Sequence, residues 1–221
     1  MRIVGIIGAM DEEIERLKAK MEIAETKEKA GMTFFVGKMN GKNVVLVRSG
    51  IGKVNAAMCT QILIDVYQVD YVINTGIAGA ISKELRIGDI VISEDLTYHD
   101  FDYEHRMYFK ADQHLIELAK EACDNHLDQQ TYFVGRIATG DIFVSASEQK
   151  QKIIETCKAF CVEMEGAAIA HVAGFNYIPF VAVRSISDQA DEEAEDTFWE
   201  FMNVAAEKAS IIVESVVSKL D

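Results

Sequence analysis

The sequence predicts an α/β fold, one domain in which a central mixed β-sheet is flanked by α-helices. Three observations carry that prediction. Continuous apolar runs of strand length, RIVGIIG (2–8), DYVINTG (70–76) and IPFVAVRSISD (178–188), suit strands covered on both faces. Amphipathic stretches of helical length alternate with them, the pattern of helices packed around a buried sheet. TFFVGKMNGKNVVLVRSG places two β-rich runs around Asn40-Gly41, a strong hairpin signal, so the sheet is mixed and not wholly parallel. The 221 residues are 49% hydrophobic with a single proline and no Pro- or Ser-rich linker, which gives one domain over residues 1–221.

The elements follow in order. After the first strand, residues 11–21 open acidic and close basic, as the helix dipole favours. The hairpin is followed by a helix over roughly 53–67 and the buried strand at 70–76. Residues 88–95 read as a strand, 112–126 as a helix, 132–140 as a strand and 145–158 as a helix. CVEMEGAAIAHV then runs from a strand end into an apolar helix near 165–174. The strand over 178–188 precedes a long amphipathic helix over about 196–219.

Composition narrows the function. A net charge of −14 is wrong for a nucleic-acid surface, which needs clustered Lys and Arg; it serves solubility. Cys59, Cys123, Cys157 and Cys161 form no CxxC pair and read as reduced core residues, and no His/Cys/Asp set has metal-ligand spacing. The N-terminal apolar run is too short for a signal peptide, and no stretch is long enough for a bilayer. A cytoplasmic protein needing no metal or cofactor, with no membrane or nucleic-acid partner, is expected.

Several apolar strands end in glycine-rich or acidic turns: GAMDEE (8–13), SGIGK (49–53), NTGIAGA (74–80), ATGDIFV (138–144), EMEG (163–166) and SISD (185–188). Ligands of open α/β sheets bind at such ends. GIG and NTGIAGA each read first as tight turns, neither matching a phosphate-binding motif. Glu13 alone is a first-turn acid favouring the helix dipole, Asp188 a cap or turn residue, and Glu163 and Glu165 partners for Arg184. Together they place three or four carboxylates at the ends of one sheet. His171 falls on an apolar helix face as a core histidine, and His99 is a loop residue near the candidate pocket.

GIIGAMDEE, SGIGKVNAA, NTGIAGA, RIGDIVIS, YHDFD, TGDIFV, VEMEGAAIAHV and VRSISDQAD, in that order along the whole chain, resemble the bacterial 5′-methylthioadenosine/S-adenosylhomocysteine nucleosidases of the nucleoside phosphorylase superfamily. The resemblance implies a sheet that curls toward a barrel and hydrolysis of the adenine–ribose bond in 5′-thio-substituted adenosines. Glu13 matches the base that activates water, and Asp188 the acid that protonates adenine N7. Glu165 matches the ribose-binding carboxylate and Met164 the residue beneath the sugar. Gly79 and Val144 match backbone contacts to the base, and Phe143 the aromatic that stacks on it. Ile51, Met10 and Phe198 match the apolar lining of the sugar and thioether region. Glu163 is open between a ribose contact and a pairing with Arg184. The partners implied are an adenosine thioether, water and a second copy of the chain in a homodimer.

The chain departs from the pattern twice. Ile77 stands where many relatives have a serine that could orient Asp188, and it would line the adenine slot instead. YHDFDYEHRMYFKAD is several residues shorter than the usual lid, leaving Tyr103 and Tyr108 as candidate cover and the preference for the 5′-substituent open. The rival readings are a nucleoside phosphorylase, which Arg48 keeps in play, and a non-catalytic binding protein, which would lack one of Glu13, Glu165 or Asp188.

Overall fold

The N-terminal apolar run forms β1 (Ile3–Gly8), and the acidic-to-basic segment after it forms α1 (Asp11–Lys20). The computed structural model describes residues 2–101, 107–127 and 131–220. Beyond α1 lie β2 (Glu22–Lys29), β3 (Met32–Met39) and β4 (Lys42–Arg48), then α2 (Lys53–Tyr67) and β5 (Tyr71–Ala80). The middle of the chain supplies β6 (Ile90–Tyr98), β7 (Phe109–Lys110), α3 (Gln113–His126), β8 (Tyr132–Thr139) and α4 (Ser147–Cys157). The last elements are β9 (Cys161–Glu163), α5 (Gly166–Phe175), β10 (Phe180–Asp188) and α6 (Ala194–Lys219).

The strands form one mixed sheet in the order β10-β6-β8-β9-β5-β1-β4-β3-β2, and a further β10–β5 pairing closes β5, β10, β6, β8 and β9 into a five-stranded barrel. The curl toward a barrel is therefore complete on this side, while β1, β4, β3 and β2 extend from it as an open wing. Closure removes two sheet edges that would otherwise expose unpaired backbone groups. The Asn40-Gly41 turn joins β3 to β4 as an antiparallel hairpin, both residues taking positive φ, 50° and 77°.

Alternating side chains of the strands feed two cores, one on each face of the sheet. Val45, Val47, Val72 and Val91 pack toward α2 and α5. Val44, Leu46, Ile73, Ile90, Ile92, Val181 and Val183 pack toward α1, α3 and α6. The period-2 alternation of strands thus produces a three-layer helix–sheet–helix stack.

Two segments differ from the sequence expectation. β2, EIAETKEK, has no apolar face and is exposed along its whole length; it pairs antiparallel with β3 through the Ala30-Gly31 turn. It is an edge strand held by backbone pairing, and its charges discourage further strand addition. NTGIAGA is not a turn. Residues 74–80 continue β5, fully buried, with Thr75–Ala78 in register against β10, Gly79 opposite Asp188 past a shift in register, and Gly79 and Ala80 against β9. β10 runs through Asp188, as expected for the strand over 178–188. Small residues there let the strand run beneath neighbouring side chains: a Cβ on Gly76 would overlap both Arg184 and Glu13.

Candidate active site

The carboxyl ends of β1, β5 and β10 meet the turn after β4, the turn after β8 and the β9–α5 junction around a single cleft. Met10, Glu13, Ile51, Ile77, Gly79, Phe143, Glu163, Met164, Glu165, Asp188 and Phe198 all line it, together with Ala9, Ala78, Val162 and Ser187. Val144 is buried and faces an adjoining hollow shared with Ile142, Phe143 and Gly79. Every candidate substrate contact of the sequence reading therefore borders one continuous depression. Phe143 meets Phe198 edge-on at 5.6 Å, so the long C-terminal helix closes one wall.

Four buried carboxylates and one buried guanidinium dominate its floor. Arg184 is fully buried on β10. It pairs with Glu163, lies 3.9 Å from Glu165, and donates to Asn74 Oδ1 at 2.6 Å and the Thr75 carbonyl at 3.1 Å. Glu163 also accepts from the Thr139 hydroxyl and from the backbone N–H groups of Glu165 and Gly166, at 3.1 and 2.7 Å. Its oxygens thus hold Arg184 and the first turn of α5, while Glu163 also borders the cleft.

Glu13 reaches back from the first turn of α1. One oxygen accepts from the N–H groups of Ala9 (2.6 Å) and Met10 (3.1 Å), the other from Ile77 N–H at 3.0 Å. Burial raises its pKa, while Arg184 and the backbone donors favour the ionised form. Glu165 accepts one bond, from Gly52 N–H at 2.8 Å, and burial, with Glu163 nearby, pushes its pKa up to about 8. Asp188 is raised chiefly by burial; it accepts from Ala190 N–H at 2.9 Å and from the Ser187 hydroxyl at 2.8 Å.

The model of the phosphorylase superfamily matches residues 3–218. A 5′-methylthioadenosine/S-adenosylhomocysteine nucleosidase of Neisseria meningitidis, solved with methylthio-immucillin-A, is 38% identical over 100% of both chains with a TM-score of 0.95. One from Colwellia psychrerythraea 34H, solved with adenine, is 41% identical over 99% of this chain and 96% of that one, TM-score 0.95. The chain belongs to this nucleosidase family of the phosphorylase superfamily. A futalosine hydrolase of Helicobacter pylori has the same fold, 32% identical over 99% of this chain and 98% of that one, TM-score 0.93.

Ser187 supplies a hydroxyl to Asp188 at 2.8 Å, from the position directly before it in β10. The sequence carried it in plain sight in SISD, but the strand reading gave no sign of its direction. Other candidates fall outside the cleft. Arg48 pairs at the surface with Asp11 at 2.9 Å, far from an anion-binding role. His171 stacks on Phe109 at 4.6 Å and bonds the Tyr98 hydroxyl at 3.2 Å, a half-buried packing residue as expected. His99 borders a hollow behind Val144 and is not among the residues lining the cleft itself. Tyr108 lies under Arg136 at 4.2 Å, away from the cleft, and Tyr103 lies outside the described residues.

Proposed function

We propose that the chain hydrolyses the N-glycosidic bond of 5′-methylthioadenosine and S-adenosylhomocysteine, releasing adenine and the 5′-thio-substituted ribose. The observation that carries the reading is the unlike settings of two buried acids in one cleft. Burial raises the pKa of Glu13, and Arg184 with three backbone donors opposes that rise by favouring the carboxylate. Asp188 owes its shift mainly to burial, with Lys150 the smallest of the influences on it. Breaking an N-glycosidic bond needs a base to activate water and an acid to protonate the leaving group, and two buried acids with different partners, one beside a guanidinium and one without it, can divide those tasks. In this reading Asp188 protonates N7 of adenine and Glu13 removes a proton from the attacking water. Glu165 accepts from the ribose hydroxyls above Met164, while Gly79 and Val144 contact the base and Phe143 stacks on it. Ile51, Met10, Ile77 and Phe198 supply apolar lining.

Water is favoured over phosphate as nucleophile. The backbone donors of Ala9, Met10 and Ile77 that could cradle an anion already hold a carboxylate of the chain itself. Glu13, Glu163 and Glu165 crowd around one cation, and they would repel a phosphate. In phosphate-free buffer the purified protein is expected to release adenine from 5′-methylthioadenosine, followed by chromatography. A strict phosphate requirement with a ribose 1-phosphate product would overturn the hydrolytic reading.

We also infer that the chain pairs with a second copy of itself. Val54 and Met58 on α2 and Phe175 and Tyr177 at the end of α5 are exposed, Val54 by 78% and Tyr177 by 92%. The two helices pack side by side. Exposed apolar groups on adjacent elements suit a buried interface. Sedimentation is expected to give twice the chain mass, and Val54→Lys with Tyr177→Lys to give the monomer. Among the described residues no helix is long and apolar enough to cross a membrane. Four free, buried cysteines fit the reducing cytoplasm.

A further inference from the structure

At the mouth of the cleft three loops are tied together by charged groups that the proposed chemistry does not use. Lys53, the first residue of α2, points its ammonium at both oxygens of Asp100, 2.7 Å each, and lies 3.7 Å from Asp141. Asp141 closes the triangle. Its backbone N–H donates to Asp100 at 2.8 Å, and its carboxylate accepts from the Lys53 N–H at 2.8 Å. The Lys53 and Asp100 side chains are largely covered, 19% and 17% exposed, while Asp141 is 47% exposed, and the ammonium lies over the rings of Tyr98 and Phe101.

The position of this triangle gives it a consequence. Gly52 caps α2 without a side chain, at φ +97°, and its N–H is the one group bonded to Glu165 Oε1. A Cβ there would come within 3.1 Å of Asp141 Oδ1. Asp141 therefore does from a distant loop what a capping side chain does locally: it takes the second N–H of the α2 N-terminus and leaves the first for Glu165. Without it the N-terminal turn of α2 keeps the bond from the Asn55 side chain to the Ile51 carbonyl, at 2.7 Å, but loses the side chain that holds the Lys53 N–H beside Gly52.

We propose that Lys53, Asp100 and Asp141 form a positioning clasp that sets the orientation of the ribose carboxylate Glu165 through the N–H of Gly52. The proposal rests on the nucleosidase reading for the role of Glu165. The clasp touches no reacting atom; it fixes the loop that aims the acceptor. A misplacement of about 1 Å at such a group is enough to cost on the order of 10²-fold in rate.

The test compares Lys53→Met, Asp141→Ala and Asp141→Asn with wild type in adenine release from 5′-methylthioadenosine, adenine binding by calorimetry, and thermal unfolding. Lys53→Met and Asp141→Ala are expected to lower kcat/KM at least tenfold, while the Kd for adenine, which has no ribose, stays within twofold. Asp141→Asn keeps an acceptor for the Lys53 N–H and is expected to stay within threefold of wild type. Unchanged kcat/KM in the first two variants overturns the clasp, as does Asp141→Asn falling as far as Asp141→Ala. Weakened adenine binding and a lowered melting temperature in step with the lost rate also overturn it, because that pattern is a general loss of structure. If wild type releases no adenine, the nucleosidase reading fails by itself. The clasp is then decided by hydrogen exchange at the Gly52 and Lys53 amides, faster in Lys53→Met and Asp141→Ala but not in Asp141→Asn if it holds.

Discussion

Asp188→Asn is expected to lower adenine release from 5′-methylthioadenosine by on the order of 10²–10⁴, the usual worth of a positioned general acid. The substitution keeps the shape of the side chain and its acceptor toward Ala190 N–H, so the end of β10 keeps its geometry. What is lost is a transferable proton. Burial lifts the pKa of Asp188 from its ordinary value and thus holds that proton closer to neutral pH. Adenine binding, measured by calorimetry, is expected to survive within a few-fold, since stacking and backbone contacts are untouched. Turnover within threefold of wild type would remove Asp188 from the mechanism. Ser187 makes a companion comparison: its hydroxyl holds one oxygen of Asp188, so that the other is left to Ala190 and to the cleft.

Arg184→Met is expected to be the most damaging single change to stability, by about 3–5 kcal/mol, the cost of leaving a buried pair without one partner. No solvent reaches Arg184, and Glu163 beside it is almost as buried. Removing the guanidinium strands Glu163 and Glu165 together and leaves the Asn74 side-chain oxygen without its donor. At about 2–4 °C per kcal/mol for a chain of this size, the melting temperature is expected to fall by roughly 10 °C. Glu163→Gln added to Arg184→Met removes one stranded charge, so the double variant is expected to recover part of the loss, the non-additivity that marks a direct pair. A single variant melting within about 2 °C of wild type would mean that water or rearrangement replaces the guanidinium at little cost.

Much of this site could be read from the chain because its residues follow strand ends, where apolar runs stop and acids or glycines begin. GAMDEE, EMEG and VRSISD set Glu13, Glu165 and Asp188 apart only as a group, each alone reading equally as a cap, turn or ion-pair residue, and the fold brings the three to one cleft. What stayed hidden depended on direction. That Glu163 meets a guanidinium turned on how β9 meets β10 across the barrel, a relation set by pairings between distant segments. The glycines of NTGIAGA suggested a turn because flexibility and close approach leave the same residue in the sequence. Only the neighbours, Arg184 and Glu13 lying where a Cβ would be, reveal which of the two applies. β2 was invisible for the opposite reason: an edge strand with both faces in water needs no apolar pattern to form.

The crowding of acids on the cleft floor carries a consequence in protons. A carboxylate whose folded pKa lies above its unfolded value binds more protons folded than unfolded, so its contribution to stability diminishes as pH rises between the two. For Glu165 that window runs from about 4.5 to about 8, with Glu13 and Asp188 shifted in the same direction. Glu165 therefore keeps its proton to higher pH than an exposed carboxylate does. A sugar that donates hydrogen bonds favours the charged acceptor, so its arrival expels a proton, and affinity grows with pH until that group is already ionised.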